Sequence, residues 1–237
     1  MSKGCIYYTD NKIKDPIKSH VYSFIKDSGL PIVSCSLKPI EFGDNIVLNL
    51  RSGVKTMWTQ ILTALEKSTT DYVFFCEHDV LYPKSHFDFT PPKEDVFYYN
   101  SNVYRWDYPN NRAITYDRLI SLSGLCCNRQ LAVDHYRERL EIVEKKGWDQ
   151  DKSKEPWWGR RIGYEPGTKP KKRGGYFDEN FDTWKSRYPI VDIRYNGTFS
   201  PRKVTLKSFR HLPTNWEETT LDQIPGWNLK ELWNLAY

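Results

Sequence analysis

The sequence contains a stretch, residues 72–76, in which every position is apolar and which leads directly into an acidic triplet. A strand that is apolar at every position has both faces buried, as in a parallel sheet that carries helices on each side. A strand with one face in water would alternate apolar and polar residues instead. The stretch therefore predicts an α/β fold, with Glu77, His78 and Asp79 at the carboxyl end of a central strand.

The segments around this stretch alternate between the periods of strands and helices. Residues 4–8 and 30–36 are short apolar runs, and residues 15–27 between them carry apolar side chains at helical spacing. A strand, a helix and a second strand in this order form the βαβ unit of parallel sheets. The same patterns predict helices over 52–67 and 129–146, strands over 96–100, 119–127 and 189–194, and an amphipathic segment over 229–235.

The second half of the chain is less regular. After Gly147 the periodic pattern gives way to Trp, Gly, Pro and Lys, and loops of this length in a domain usually have a function or are disordered. We predict one domain over residues 1–237, a Rossmann-like, mostly parallel sheet flanked by helices with a loop-rich C-terminal half. Ligands of such sheets bind in the crevice at the carboxyl ends of the strands.

The composition argues against several classes of protein. The apolar runs are far shorter than the roughly 20 residues of a membrane-spanning helix, and the N-terminus lacks the apolar segment of a signal peptide. We therefore expect no membrane span and a cytoplasmic location. Cysteines at positions 5, 35, 76, 126 and 127 form no CxxC pair, so we expect reduced, buried thiols and neither a disulfide scaffold nor a zinc site.

Positive charge is concentrated in one part of the chain. The formal net charge is +5, yet residues 151–211 alone hold 15 Lys or Arg against 7 Asp or Glu. Such a segment suits a phosphate-bearing ligand or a nucleic acid, and it is equally compatible with a solvated basic face. The run at 169–173 has the same three interpretations: a lid over a diphosphate, a nucleic-acid contact, or a solvated loop.

Glu77 and Asp79 are the strongest candidates for a functional site. Two carboxylates at the end of a buried strand can hold a hard divalent cation such as Mn²⁺ or Mg²⁺, and they leave coordination positions for water and a diphosphate. The alternative is that both side chains only cap the turn before Pro83.

The order of strand, helix, strand, helix, apolar strand and acidic triplet over residues 4–127 resembles the nucleotide-sugar-binding half of a GT-A fold glycosyltransferase, similar to family 2. Glu77-His78-Asp79 stands where that fold carries Asp-x-Asp, with Glu in place of the first Asp. The resemblance implies a GT-A-like domain with a nucleotide-sugar part at 1–127 and an acceptor or lid part at 128–237. It also implies a bound Mn²⁺ or Mg²⁺ and a UDP-sugar donor, with Asp79 on the metal and Glu77 on the metal or the ribose.

The resemblance implies roles for further residues of the donor site. His211 would be a third metal ligand, or else a structural hydrogen-bonding residue. Thr9, Asp10 and Asn11 at the end of the first strand would hold the base and ribose, or else form a turn and a helix cap. Arg51 would approach the uracil or the phosphates together with Lys55, because both lie at the start of a helix, where anions are favoured.

The acceptor side requires a base if the reaction inverts the sugar, because the attacking hydroxyl must lose its proton. Glu155 resembles the base motif of inverting enzymes best, although the Asp of that motif is missing; Glu165 and Asp182 are the other candidates. Trp157 and Trp158 would stack on the acceptor sugar, or else belong to the core.

Together these features predict a metal-dependent glycosyltransferase that moves a sugar from a UDP-sugar to a hydroxyl acceptor, either a saccharide or another molecule. Two alternatives remain at this point. One is an enzyme of the same fold that acts on hydroxymethylated bases in DNA, which the local positive charge would suit. The other is a non-catalytic module that binds carbohydrate or nucleic acid through its aromatic residues.

Overall fold

The computed structural model describes residues 1–154, 156, 165–168, 180–198 and 201–233. Glu155, Trp157 and Trp158 lie outside the described residues, and so does the basic run at 169–173.

The first half of the chain builds one side of a large sheet. Its elements are β1 (Lys3–Thr9), α1 (Ile17–Lys26), β2 (Ile32–Ser36), β3 (Asp44–Val47), α2 (Val54–Lys67) and β4 (Tyr72–Glu77). Strand β1 pairs in parallel with both β2 and β4, and β2 pairs in parallel with β3. The predicted βαβ unit is therefore confirmed, and the acidic triplet begins at the last residue of β4.

The rest of the chain completes this sheet and adds a second one. Its strands are β5 (Val80–Leu81), β6 (Phe97–Asn100), β7 (Val103–Asp107), β8 (Ala113–Thr115), β9 (Leu125–Asn128), β10 (Phe181–Trp184), β11 (Ile190–Arg194) and β12 (Glu217–Thr219). Its helices are α3 (Arg129–Lys146) and α4 (Leu229–Leu232), and 3-10 turns occur at Lys84–His86, Leu122–Gly124, Leu206–Ser208 and Leu221–Gln223.

The larger sheet has the order β10-β6-β9-β4-β1-β2-β3. Strand β9 runs antiparallel to its neighbours β4 and β6, whereas the other strand pairs are parallel. The structure thus confirms the α/β class with a mostly parallel sheet flanked by helices. The second sheet, of order β12-β8-β7-β11-β5, did not follow from the sequence as a separate layer.

Both faces of the large sheet are covered, as the apolar stretch predicts. Tyr7 and Phe74 point into a core with α1 and with residues of the second sheet. Tyr8 and Phe75, their neighbours in sequence, point into a core with α2 and α3. Alternate residues of one strand point to opposite faces, so β1 and β4 need apolar side chains at every position.

Some predicted boundaries agree with the structure and others do not. Helix α3 has its predicted limits, because the Asn128 side chain accepts hydrogen bonds from the amides of Gln130 and Leu131, and Gly147 ends the helix in a left-handed conformation. The strand predicted over 119–127 is wrong in its first part, since a 3-10 turn at Leu122–Gly124 precedes β9.

Two further predictions concerned the cysteines and membrane-spanning helices. All five cysteines are free and buried, as expected. In the part of the chain that the structure describes, no helix combines the length and the apolar character that a membrane crossing requires.

Candidate functional site

A cavity of about 400 Å³ lies at the carboxyl ends of β1 and β4. Residues of both sheets line it, together with the N-terminus of α2 and the turn before β9. Its lining includes Tyr8, Thr9, Asp10, Ser52, Gly53, Thr56, Met57, Gln60, Glu77, His78, Asp79, Arg105, Ile120, Ser121, Leu122, Glu165, Asp192, Arg194, Pro201 and Lys203. The crevice is thus where the parallel sheet predicts it.

Glu77 and Asp79, which we call the acidic pair, both line this cavity. The Tyr8 hydroxyl donates to Glu77 Oε1 at 2.8 Å, and the backbone N–H of Glu77 donates to the Tyr82 hydroxyl at 2.9 Å. Burial, and next the charge of Asp79, raise the pKa of Glu77 to about 8. Burial also raises the pKa of Asp79, and the nearby Asp192 carboxylate adds to this shift. The pair therefore sits where a positive charge would be favourable.

Two buried cations line the same cavity as the acidic pair. Arg105 on β7 and Arg194 on β11 both line the cavity, and each is only 7% exposed. Arg105 Nε lies 3.4 Å from Asp192 Oδ2, and Arg194 donates to the same oxygen. The Asp192 and Asp79 carboxylates raise the pKa of Arg194 against the opposing effect of burial. The second sheet thus supplies two fixed guanidinium groups to the cavity.

The end of β1 holds Thr9 and Asp10 in this cavity by internal hydrogen bonds. Thr9 Oγ1 lies 3.0 Å from His78 Nδ1, which joins the end of β1 to the acidic triplet. Asp10 Oδ2 accepts from Ser52 Oγ at 2.8 Å and lies 2.8 Å from Lys12 Nζ. Burial alone would raise the pKa of Asp10, but the hydrogen bonds from Lys12 and Ser52 lower it. Asp10 is therefore an ionised acceptor at the cavity wall.

The N-terminus of α2 opens toward the same space. Gly53 precedes the helix and lines the cavity. A Cβ atom on Gly53 would lie 2.5 Å from Gln150 Oε1, so glycine allows the Gln150 side chain to approach the start of the helix. Gln150 Nε2 donates to Thr56 Oγ1 at 2.5 Å. The first amides of a helix favour an anion, but the Thr56 N–H already donates to Gln150 Oε1 at 3.3 Å. A phosphate at this end of α2 would bind the other first-turn amides or displace Gln150.

Of the three candidate bases, Glu165 lines the cavity. Glu155 lies outside the described residues. Burial raises the pKa of the Glu165 carboxyl group. Residues 165–168 are attached to β6, because the Tyr99 hydroxyl donates to the Pro166 carbonyl oxygen at 2.6 Å. Asp182 lies exposed on β10, outside the cavity lining.

Three predicted donor-site residues lie elsewhere. The Asn11 side chain binds the segment after β2, accepting from the Leu37 and Lys38 amides at 2.8 and 2.9 Å. Arg51 is exposed and lies 3.7 Å from Asp151, and Lys55 lies 3.2 Å from Glu144. None of Asn11, Arg51 and Lys55 belongs to the described lining of the cavity. Their roles stay predictions.

The predicted metal ligands fit a divalent cation only in part. Glu77 and Asp79 offer oxygen ligands from a buried position, and burial first and neighbouring carboxylates second raise both pKa values, which a bound cation would offset. His211 is exposed and is not among the residues of the cavity wall. Over the described ranges, no three His, Cys, Asp or Glu side chains are grouped as a metal site would require. A cation here would take protein ligands from the acidic pair and complete its coordination with water and substrate oxygens.

Arg105, Asp192 and Arg194 were not predicted as site residues from the sequence. A signal was present in β11, where Asp192 and Arg194 alternate with apolar Val191 and Ile193. Charged residues at alternate positions of a strand share one face, and here that face is turned to a cavity instead of to water.

Comparisons with known proteins give structural neighbours but no family. No family model matches the chain, and no curated protein does. Among solved structures, the chain is similar to a glycosyltransferase involved in the glycosylation of the major capsid of PBCV-1, at 6% identity over 85% of this chain and 96% of that one, with a TM-score of 0.46.

Two further structural neighbours are the bifunctional IspDF from Campylobacter jejuni and the glycosyltransferase GlyE from Streptococcus pneumoniae. The identities are 13% over 62% of this chain and 10% over 78%, with TM-scores of 0.40 and 0.41. This chain spans 46% of the length of each. Each of these TM-scores is below 0.5, so the likenesses carry no argument about the function of this chain.

Proposed function

We propose that this chain is a metal-dependent glycosyltransferase that moves a sugar from a nucleotide-sugar, a UDP-sugar in the first instance, to the hydroxyl of a saccharide. The observation that carries the proposal is the position of the acidic pair and the α2 N-terminus in one cavity. A nucleoside diphosphate with its cation needs both kinds of group: oxygen ligands for the cation and helix amides for the phosphates.

The donor would lie across the carboxyl ends of β1 and β4. Glu77 and Asp79 would hold the cation, which when bound offsets the negative charge that develops on the departing diphosphate. Asp10 is an ionised acceptor fixed by Ser52 and is suited to a ribose hydroxyl. Arg105 and Arg194 add positive charge to the same cavity, where they would stabilise an anionic leaving group.

The acceptor hydroxyl must lose a proton as it attacks. Glu165 is suited to receive it, because it lines the cavity and burial raises its pKa toward the operating range of a general base. Glu155, which resembles the base motif of inverting enzymes, stays a prediction, and so does membership of family 2. We therefore assign the base role first to Glu165, with inversion of the sugar as the corresponding outcome.

The experiment is a panel of UDP-, GDP- and TDP-sugars incubated with the protein in Mn²⁺, Mg²⁺ or EDTA, with the released nucleoside diphosphate measured. We expect release from a UDP-sugar that requires the metal and increases when a saccharide acceptor is added. If no nucleoside diphosphate is released under any condition and none binds to the protein, the non-catalytic binding module is favoured instead. Release that increases only with DNA carrying hydroxymethylated bases would identify the DNA-modifying alternative.

A further inference from the structure

We infer that three aromatic rings beside the cavity, Tyr116, Phe209 and Trp216, form the subsite that holds the acceptor saccharide. We call them the aromatic cluster. The inference builds on the proposed function, because it assigns the acceptor of the same reaction to a second, adjacent surface. It also names acceptor residues other than Trp157 and Trp158.

The strand register brings two of the rings together. Strands β8 and β12 pair antiparallel with Thr115 opposite Glu217, so the next position places Tyr116 opposite Trp216. These two rings are stacked, with centroids 5.8 Å apart and planes inclined by 13°. Phe209 meets both rings edge-on, at 5.3 Å from Tyr116 and 5.8 Å from Trp216. The cluster therefore has a defined shape that does not depend on a ligand.

The Trp216 ring is held in one orientation. Its Nε1–H donates to Glu218 Oε1 at 2.9 Å, and Arg112 binds the Glu218 carboxylate through Nε at 2.9 Å and Nη2 at 2.8 Å. A ring fixed before binding loses little conformational freedom when a ligand stacks on it. All three rings of the cluster are partly exposed, so they retain surface for a ligand.

Two cations connect the cluster to the cavity. Arg105 lines the cavity and donates from Nη1 to the Tyr116 hydroxyl at 2.8 Å. Lys203 also lines the cavity, and its Nζ lies 5.9 Å from the centroid of the Phe209 ring. A molecule that covers the cluster would therefore extend directly toward Glu165 and the acidic pair.

The chemistry of the surface fits a saccharide. Pyranose rings present apolar C–H faces that pack on aromatic rings, and their hydroxyls require polar partners at the rim. Here the rim carries the Asp117 carboxylate, which accepts from Thr214 and Asn215, and the Glu218 carboxylate. Nucleic acid would instead require cations that reach its phosphates, whereas Arg112 is paired with Glu218, Arg105 is paired with Asp192, and Lys203 lies over the Phe209 ring. The cluster is therefore suited to a neutral, hydroxyl-rich ligand.

Binding can be tested without a donor. The protein is labelled with 5-fluorotryptophan, and the ¹⁹F resonance of Trp216 is identified by its loss in Trp216→Phe. The labelled protein is then titrated with methyl β-glucoside, methyl β-galactoside and methyl β-N-acetylglucosaminide, and with the matching disaccharides. We expect the Trp216 resonance to shift saturably with at least one glycoside. Under the same titration, resonances of tryptophans outside the cluster should stay in place.

Transfer kinetics test the acceptor role. Trp216→Leu should raise the KM for the saccharide at least tenfold while leaving the affinity for UDP unchanged, and Trp216→Phe should recover most of that loss. Phe209→Leu provides a second variant if Trp216→Leu fails to fold. Trp227→Leu removes a partly exposed ring that packs on Phe24 and belongs to neither the cluster nor the cavity lining, and it is the matched control.

The outcomes separate the two proposals. A shifted Trp216 resonance without turnover of any nucleotide-sugar would overturn the transferase and leave the saccharide subsite standing. Turnover onto a saccharide with no shift, or with an unchanged KM in both Trp216→Leu and Phe209→Leu, would overturn the subsite. Transfer to DNA but to no saccharide would also overturn it.

Discussion

Asp79 connects the end of β4 to the second sheet as well as facing the cavity. Its carbonyl oxygen accepts from the Ile193 N–H of β11 at 2.8 Å, so its backbone is fixed independently of any ligand. Its carboxylate shares the cavity with Glu77, Asp192 and Arg194. A change confined to the Asp79 side chain therefore tests the chemistry of the site without removing what holds the site in place.

We expect Asp79→Asn to keep the fold and to weaken Mn²⁺-dependent UDP binding at least tenfold, which is about 1.4 kcal/mol. The amide has nearly the shape of the carboxylate but lacks the charge that a hard cation prefers. Isothermal titration with UDP in Mn²⁺ and in EDTA measures the effect. Asp88→Asn, at an exposed carboxylate outside the cavity lining, is the control. Unchanged UDP affinity in Asp79→Asn would remove the metal role.

Glu165→Gln should lower the rate of sugar transfer by about 10² or more while UDP binding is retained, because the amide keeps the shape but cannot accept a proton. Slow hydrolysis of the donor by water should fall less than transfer does. Glu138→Gln, on the exposed side of α3, is the matched control for both rates. Transfer at the wild-type rate in Glu165→Gln would return Glu155 and Asp182 to first place as candidate bases.

His86 should make stability depend on pH. It is fully buried, its Nδ1 lies 3.1 Å from Asn100 Nδ2, and burial lowers its pKa to about 3. Between pH 6.5 and about 3 the unfolded chain binds a proton here that the folded chain does not, so stability falls as the pH falls. The free energy of unfolding changes with pH by at most about 1.4 kcal/mol per pH unit because of this residue.

Urea unfolding at pH 7.5 and pH 5 measures this contribution. His86→Leu should have a smaller difference in unfolding free energy between the two pH values than the wild type. Because the buried His135 shifts in the same direction, the difference should shrink but not vanish. An equal difference in both proteins would contradict the assignment.

At the scale of elements, α3 is the clearest case of a helix specified by its own sequence. Its side chains carry an apolar stripe, and its ends are marked by Asn128 and Gly147. Such signals depend on neighbours within a few residues, so they can be recognised in the sequence alone. Helices α1 and α2 were predicted from their apolar period. Both begin two residues later than predicted, α1 ends one residue earlier, and α2 ends at the predicted residue.

We expect Asn128→Ala to lower the stability of the protein by about 1 kcal/mol, because the first-turn amides of Gln130 and Leu131 lose their acceptor. Asn128→Asp should retain most of the stability, since its carboxylate can accept the same two bonds. Thermal unfolding monitored by circular dichroism distinguishes the variants. Equal stability of Asn128→Ala and wild type would show that water replaces the cap without cost.

Of the strands in the second sheet, β11 was predicted, over 189–194, and the structure confirms it. The position of the charged residues of β7 and β11 could not be predicted. Strand β7 contains Arg105 and Asp107, and β11 contains Asp192 and Arg194, all of which are buried. Their burial depends on partners distant in sequence, such as the pairing of Arg105 with Asp192. A pattern within one strand cannot show that pairing, so the second sheet and this half of the cavity became visible only with the structure.

At the scale of the whole molecule, the two sheets share one apolar core. Phe74 and Tyr7 of the large sheet belong to the same cluster as Trp106 and Val191 of the second. A core shared in this way couples the stability of the layers that form it. The single domain predicted over residues 1–237 therefore has a direct test.

We expect one cooperative unfolding transition, with coincident midpoints for far-UV circular dichroism and tryptophan fluorescence. Trp106→Ala, which empties a fully buried position on β7, should destabilise the protein by about 3–5 kcal/mol and shift both midpoints together. Retained amide protection in β1 after the second sheet has unfolded would instead show two independent units.

The chain passes from one sheet to the other inside the acidic triplet itself. Glu77 is the last residue of β4 in the large sheet, and Val80 begins β5 in the second. The spacing between the two carboxylates is therefore set by how the layers pack, and not only by the rotamers of the two side chains. If the acidic pair holds a cation as proposed, repacking the shared core would change which ion it prefers while both carboxylates are kept.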